Sequence, residues 1–239
     1  MTELSATGLS PVASERRFFA RLTLGIALLI LFGFGQFAAR GIIDYRTAPL
    51  WFHAHGAVMT GWLALSVIQS TLAARGDIAL HRQLGWLSLG FVIAIPVLGT
   101  TALVTALRGG LVPPFYTPAF FLLLNAVEFS AFLALVALAI LRRRETSWHA
   151  RALLCANVVL MDPALGRLLP MPLLGAEGLW LALIVQAIPL GLIARHDART
   201  LGRLHPATLT GGAVVLAAHA ATLLVGLPII AQIAAAITA

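Results

Sequence analysis

The sequence has little charge, a single cysteine and no lysine. Only 10% of its 239 residues are charged, against about 25% in an average soluble domain. All 16 basic residues are arginine, which excludes a retinal Schiff base, a P-loop lysine and other chemistry of a side-chain amine. One cysteine, Cys155, excludes an internal disulfide, a c-type haem attachment and a four-thiolate cluster. Hydrophobic residues make up 60% of the chain, and this composition indicates a membrane protein.

Seven apolar stretches are long enough to cross a membrane, because a helix needs about 20 apolar residues to span a hydrocarbon core of about 30 Å. They cover residues 20–39, 54–74, 84–107, 116–141, 151–171, 178–194 and 207–232. We therefore predict an all-α, polytopic integral membrane protein in contact with the lipid bilayer. Residues 1–19 form a short polar N-terminal segment, and residues 20–239 form a single domain of seven transmembrane helices.

The arginines are distributed unevenly between the two sides of this predicted bundle. Twelve fall on the side of the N-terminus and four on the other side. Cytoplasmic loops carry an excess of arginine and lysine, so we expect a cytoplasmic N-terminus and an outside C-terminus in a multi-pass protein of the cell inner (cytoplasmic) membrane. This topological role explains the net charge of +7 without a nucleic-acid partner.

Two carboxyl side chains lie near the middle of predicted spans, where ionisable residues are functional candidates. Glu128 is central in the fourth span, and Asp162 lies 11 residues past Arg151 in the fifth. Sequential antiparallel helices can bring the two together, and Pro163 predicts a kink beside Asp162. Such a pair suits proton transfer or a metal site. Alternatively, the carboxyls only hold helices together, with Arg167 as a partner.

Histidines in the outer half of the predicted bundle add to the candidate site of the two carboxyls. His53 and His55 open the second span, and His219 lies in the outer half of the seventh. Together with Glu128 and Asp162 they form a candidate site for zinc, iron or copper, in which His55 is better placed than His53 to point inward.

A second group of histidines repeats along the chain on the cytoplasmic side. Each of three connections presents arginine together with histidine near the start of the outgoing helix: His81 with Arg82, His149 with Arg151, and Arg203 with His205. Imidazoles are axial ligands of haem iron, and guanidinium groups bind carboxylates such as haem propionates. The alternative is that topology alone places these arginines and that the histidines lie at the headgroups. His196 is predicted to lie in an exposed loop.

Several of these residues resemble a family pattern. The run from His53 to Gly56, followed by Trp62, Gln69 and the segment from His81 to Trp86, resembles an uncharacterised bacterial membrane protein family with an HxHG, W, Q, HRxLG signature. The resemblance extends through spans two to seven. A more distant similarity, to cytochrome b561-type helical bundles, implies histidine-ligated haem near the membrane faces.

These observations give three hypotheses. The first is an inner-membrane haem- or metal-binding protein in electron transfer or its assembly, with haem b as cofactor and a redox partner or quinone. The second is a metal-dependent membrane enzyme with an intramembrane His/Asp/Glu site. The third is a proton-coupled carrier or a structural membrane protein.

Overall fold

A computed structural model describes residues 10–41, 46, 48–113, 116–174, 177–224 and 228–238. Within these ranges the regular structure is helical. The helices are α1 (Pro11–Ala39), α2 (Leu50–Arg75), α3 (Ile78–Arg108), α4 (Pro118–Leu141), α5 (Thr146–Val159), α6 (Asp162–Leu168), α7 (Met171–Leu174), α8 (Gly178–Leu201), α9 (Pro206–Leu224) and α10 (Pro228–Thr238). The predicted all-α fold class is thus confirmed.

Among the described residues, six helices are long and apolar enough to cross a membrane: α1, α2, α3, α4, α8 and α9. Their surfaces carry large exposed apolar side chains, among them Phe32, Ile93 and Ile184, as expected of helices that face lipid tails rather than water. The chain is therefore a multi-pass membrane protein. The predicted fifth span, residues 151–171, does not form one long helix.

That segment is interrupted in its middle. Helix α5 ends at Val159, and α6 begins at Asp162 with Pro163 in its first turn. Proline has no N–H to donate to the preceding turn, and its ring clashes with the carbonyl four residues earlier, so α5 cannot continue through this position. The predicted kink at Pro163 is confirmed, and it takes the form of a break.

Helix α5 lies at the centre of the bundle. It packs against α1, α4, α8 and α9. Every residue from Leu154 to Val159 is buried, and so is Arg151. Trp62 of α2 donates from Nε1 to Asn157 Oδ1 at 3.0 Å. On the α9 side, a Cβ built on Gly211 would lie 2.8 Å from Cys155 Cβ, so glycine allows the close approach of these two helices.

The ends of several helices differ from the sequence prediction. Helix α1 starts at Pro11 rather than at residue 20, because Ser10 accepts a capping hydrogen bond from Ala13 N at 3.3 Å. Helix α8 continues to Leu201 and stops at Gly202, whose φ of 67° is left-handed. The predicted seventh span, residues 207–232, corresponds to α9 and part of α10, which packs against α3 and α4.

Three connections and the start of α1 meet at one end of the bundle. Contacts between the connections join His81 to His149 and Trp148 to His205, and an ion pair joins Arg151 to Glu15 of α1. We call this the arginine-rich end, and the end that carries the α3–α4 connection the opposite end. The three connections that carry these histidines therefore lie at the same end of the fold.

Candidate functional site

The histidines of two different connections form a pair at the arginine-rich end. His81 lies in the first turn of α3 and His149 in the first turn of α5. Their ring centres are 6.4 Å apart, and the rings are nearly perpendicular, at 89°. Two of the three predicted inner histidines are thus brought together.

Backbone carbonyls of the preceding helices hold both rings of this pair. The Nδ1 atom of His81 lies 3.1 Å from Gln69 O, and the Nδ1 atom of His149 lies 2.9 Å from Ala139 O. A carbonyl oxygen only accepts, so each Nδ1 carries the hydrogen and each neutral ring keeps its lone pair on Nε2. Ligating histidines in metal sites are oriented by this same kind of bond.

His205, the third predicted inner histidine, is arranged differently. Its ring packs against Trp148 at 5.8 Å, and its Nδ1 accepts a hydrogen bond from Ala207 N at 3.0 Å. The lone pair used there is on Nδ1, so a neutral His205 carries its hydrogen on Nε2. Burial, followed by the nearby Arg151 guanidinium, lowers the pKa of His205.

The three arginines predicted to accompany these histidines have separate positions. Arg82 and Arg203 are exposed at the arginine-rich end. Arg151 is completely buried, and its guanidinium bonds to Asp197 Oδ1 from Nε at 3.1 Å and from Nη2 at 2.5 Å. A further contact, 2.9 Å from Nη1, reaches Glu15. Arg151 is therefore occupied by protein carboxylates.

Asp197 is the centre of this network and was missed in the sequence. It is fully buried, and its Oδ2 accepts from Thr208 Oγ1 at 2.5 Å and from His205 N at 3.1 Å. The sequence prediction ended this helix at residue 194, which placed Asp197 in a loop. The signal was present in the helical spacing, because Gln186, Ile193 and Asp197 lie on one buried face of α8.

The loop assignment of His196 was wrong for the same reason. His196 lies in α8 and stacks on Phe18 of α1, with ring centres 4.1 Å apart and an angle of 4° between the planes. The start of α1, which is predicted from the sequence to be a polar segment, therefore contributes side chains to the packing at this end.

A second polar cluster lies inside the bundle. Glu128 of α4, Asp162 of α6 and His219 of α9 line one cavity together with Leu124, Leu179, Ala218 and Thr222. Its volume, about 10 Å³, has room for about one water molecule. His219 Nε2 lies 3.5 Å from Asp162 Oδ2, and the two side chains are only 6% and 8% exposed. Three of the five predicted members of the outer site, Glu128, Asp162 and His219, are thus brought together.

The other predicted members of the outer site lie elsewhere. His53 is exposed, and its ring contacts Phe52. His55 is half-buried in the first turns of α2, with Arg167 as its charged neighbour. Arg167 donates to Pro163 O at 2.6 Å and lies over Phe34. Neither histidine lines the cavity of Glu128, Asp162 and His219.

The histidine pair at the arginine-rich end and the polar cluster inside the bundle differ in their capacity to bind a metal ion. In the described part of the chain, no three His, Cys, Asp or Glu side chains are grouped closely enough to hold a metal ion by themselves. The His81–His149 pair supplies two imidazole nitrogens, which is the protein ligand set of a bis-histidine haem iron or of a metal completed by other ligands. Comparison with protein-family models, with curated proteins and with solved structures finds no match for this chain.

Proposed function

We propose that this chain is a haem- or metal-binding protein of the inner membrane that takes part in electron transfer, and that His81 and His149 hold the centre. The observation that carries the proposal is the arrangement of the two rings. Each is fixed through Nδ1 to a backbone carbonyl, at 3.1 and 2.9 Å, and each is left with a ligating lone pair on Nε2.

The spacing of the rings supports the same reading. Two imidazole nitrogens that bind one ion at about 2.0 Å each would hold their ring centres about 6 Å apart or closer. The observed separation is 6.4 Å. His81 and His149 would hold a b-type haem, and the haem iron would supply one-electron chemistry there.

Exposed arginines at the arginine-rich end support the binding of an anionic group there. Arg82 and Arg203 are exposed and can bind carboxylates such as haem propionates. A redox partner or a quinone would then exchange electrons at this end. In this proposal the α5–α6 segment completes a seventh crossing, and the arginine-rich end and the N-terminus lie in the cytoplasm.

The test is spectroscopy of the purified, detergent-solubilised protein from haem-sufficient cells. We expect a Soret band that shifts on reduction and is lost in His81→Ala and in His149→Ala. His205→Ala is the matched control, because its ring uses Nδ1 as an acceptor and does not contact the pair; this variant keeps the band. A colourless preparation with stoichiometric metal would identify a metal ion instead of haem, and a colourless preparation without metal contradicts the proposal.

A further inference from the structure

The intramembrane cluster of Glu128, Asp162 and His219 is separate from the histidine pair and is not used by the proposed function. Glu128 lies 13 residues from the end of α4 at Leu141, and His219 lies 13 residues from the start of α9 at Pro206. At about 1.5 Å per residue both are about 20 Å from the arginine-rich end. The cluster is therefore at mid-membrane depth.

Two polar atoms of the cluster are buried without a hydrogen-bond partner among the residues that the structure describes. These are Asp162 Oδ1 and His219 Nε2, which belong to side chains that are more than nine-tenths buried. Both residues line the cavity, which has room for about one water molecule. Because an unpaired buried polar group is costly, the arrangement indicates a small polar occupant.

The charges of the cluster favour bound protons. With both carboxyls ionised and His219 neutral, two negative charges would share a cavity otherwise lined by Leu124, Leu179, Ala218 and Thr222. Burial and a like charge each oppose ionisation of a carboxyl. A proton shared between the carboxyls, and another between Asp162 and His219, bring the cluster to neutrality.

The surrounding charged groups do not replace those protons. Among the described residues they are Arg167 on α6, which donates to Pro163 O and lies over Phe34, and Tyr116 before α4. Burial, with Glu128 and Asp162, raises the pKa of Tyr116 to about 12, so the phenol stays neutral. His55 lies beside Arg167 rather than on the cavity.

We propose that Glu128, Asp162 and His219 form an intramembrane proton-binding site, with one water molecule in the cavity between them. Uptake adds one proton and one positive charge to the cluster, and release returns both. The inference stands independently of haem or metal at His81 and His149.

Infrared difference spectroscopy of the full-length protein tests this proposal. In the wild type we expect the carbonyl band of a protonated carboxyl at neutral pH, which shifts in D₂O and disappears as the pH is raised. The band is lost in Glu128→Gln or Asp162→Asn. It is retained in Glu145→Gln, a control that removes an exposed carboxyl at 51% side-chain exposure.

A second measurement covers the case in which a variant fails to fold. Dicyclohexylcarbodiimide, an apolar reagent for protonated carboxyls, should label the wild-type peptide that contains Glu128 or Asp162. Absence of both the band and the label in the folded wild type overturns the proposal. So does a band that persists in both variants, or a stoichiometric metal ion that is lost in Asp162→Asn.

Discussion

At the scale of single residues, the most constrained side chain is Arg151. It is fully buried, its partner Asp197 is fully buried as well, and Glu15 completes the set of charges. The network joins α1, α5 and α8, and Asp197 carries it on to Thr208 of α9. One guanidinium therefore ties together helices that are distant in the sequence.

We predict that Arg151→Ala lowers the free energy of unfolding by about 3–5 kcal/mol, because it leaves Asp197 as an uncompensated buried charge. Thermal or denaturant unfolding in detergent measures the change. Arg144→Ala removes an exposed arginine from the same end and should stay within about 0.5 kcal/mol of the wild type. Equal effects of the two substitutions would show that the buried network does not stabilise the fold.

His205 should make stability depend on pH. Its pKa is lowered in the folded protein, first by burial and then by Arg151, so the unfolded chain binds a proton at higher pH than the folded one. Its contribution is complete above about pH 6.5 and is lost as the pH falls below that value. The melting temperature of the wild type should therefore fall more steeply on acidification than that of His205→Asn, whose side-chain oxygen can still accept from Ala207 N. Parallel pH profiles would contradict this.

At the scale of helices, the approach of α5 and α9 depends on one glycine. A Cβ on Gly211 would collide with the Sγ and Cβ atoms of Cys155, whereas a Cβ on the adjacent Gly212 meets nothing within 4 Å. The two neighbouring positions provide a matched pair of substitutions within one helix.

We predict that Gly211→Ala destabilises the protein by about 1–3 kcal/mol through overpacking, and that Gly212→Ala does not. Unfolding temperatures of the two variants measure the difference. The double variant Gly211→Ala with Cys155→Ala should recover part of the loss, because the contact with Sγ is removed while the contact with Cβ at 2.8 Å remains. Similar destabilisation by both single alanine substitutions would refute the packing argument.

The helices also show what the sequence could and could not predict. Long apolar runs located α1 to α4, because hydrophobic length alone defines such helices, and Pro163 located the break after α5. The helix ends were less accessible: Ser10 starts α1 early and Gly202 stops α8 late. As a result, Glu15 and Asp197, the two carboxylates that pair with Arg151, were assigned to segments outside the bundle.

The candidate sites were predicted in part for a similar reason. Glu128 and Asp162 sit at matching depths on antiparallel segments, so their meeting followed from spacing. The pairing of His81 with His149, to the exclusion of His205, depends on which carbonyl or amide each Nδ1 contacts. Such a contact is set by tertiary packing and leaves no trace in residue spacing.

At the scale of the whole molecule, the arrangement of connections makes the topology testable. Cys155 is buried, so the native chain should not react with a membrane-impermeant maleimide. In intact cells we predict labelling of Leu111→Cys, at the opposite end, and none of Arg143→Cys, at the arginine-rich end, until the membrane is opened. Both positions are exposed. The reverse pattern would invert the proposed orientation.

The enclosure of α5 has a consequence for biogenesis. The helix has 14 residues, about 21 Å, and it carries a buried arginine, so it is too short and too polar to rest alone in lipid. Its partners α1 and α4 precede it in the chain, but α8 with Asp197 and α9 with Gly211 follow it. The burial of α5 therefore depends on helices that are synthesised after it. Until α8 and α9 are inserted, α1 and α4 or the insertion machinery have to shield α5 from lipid.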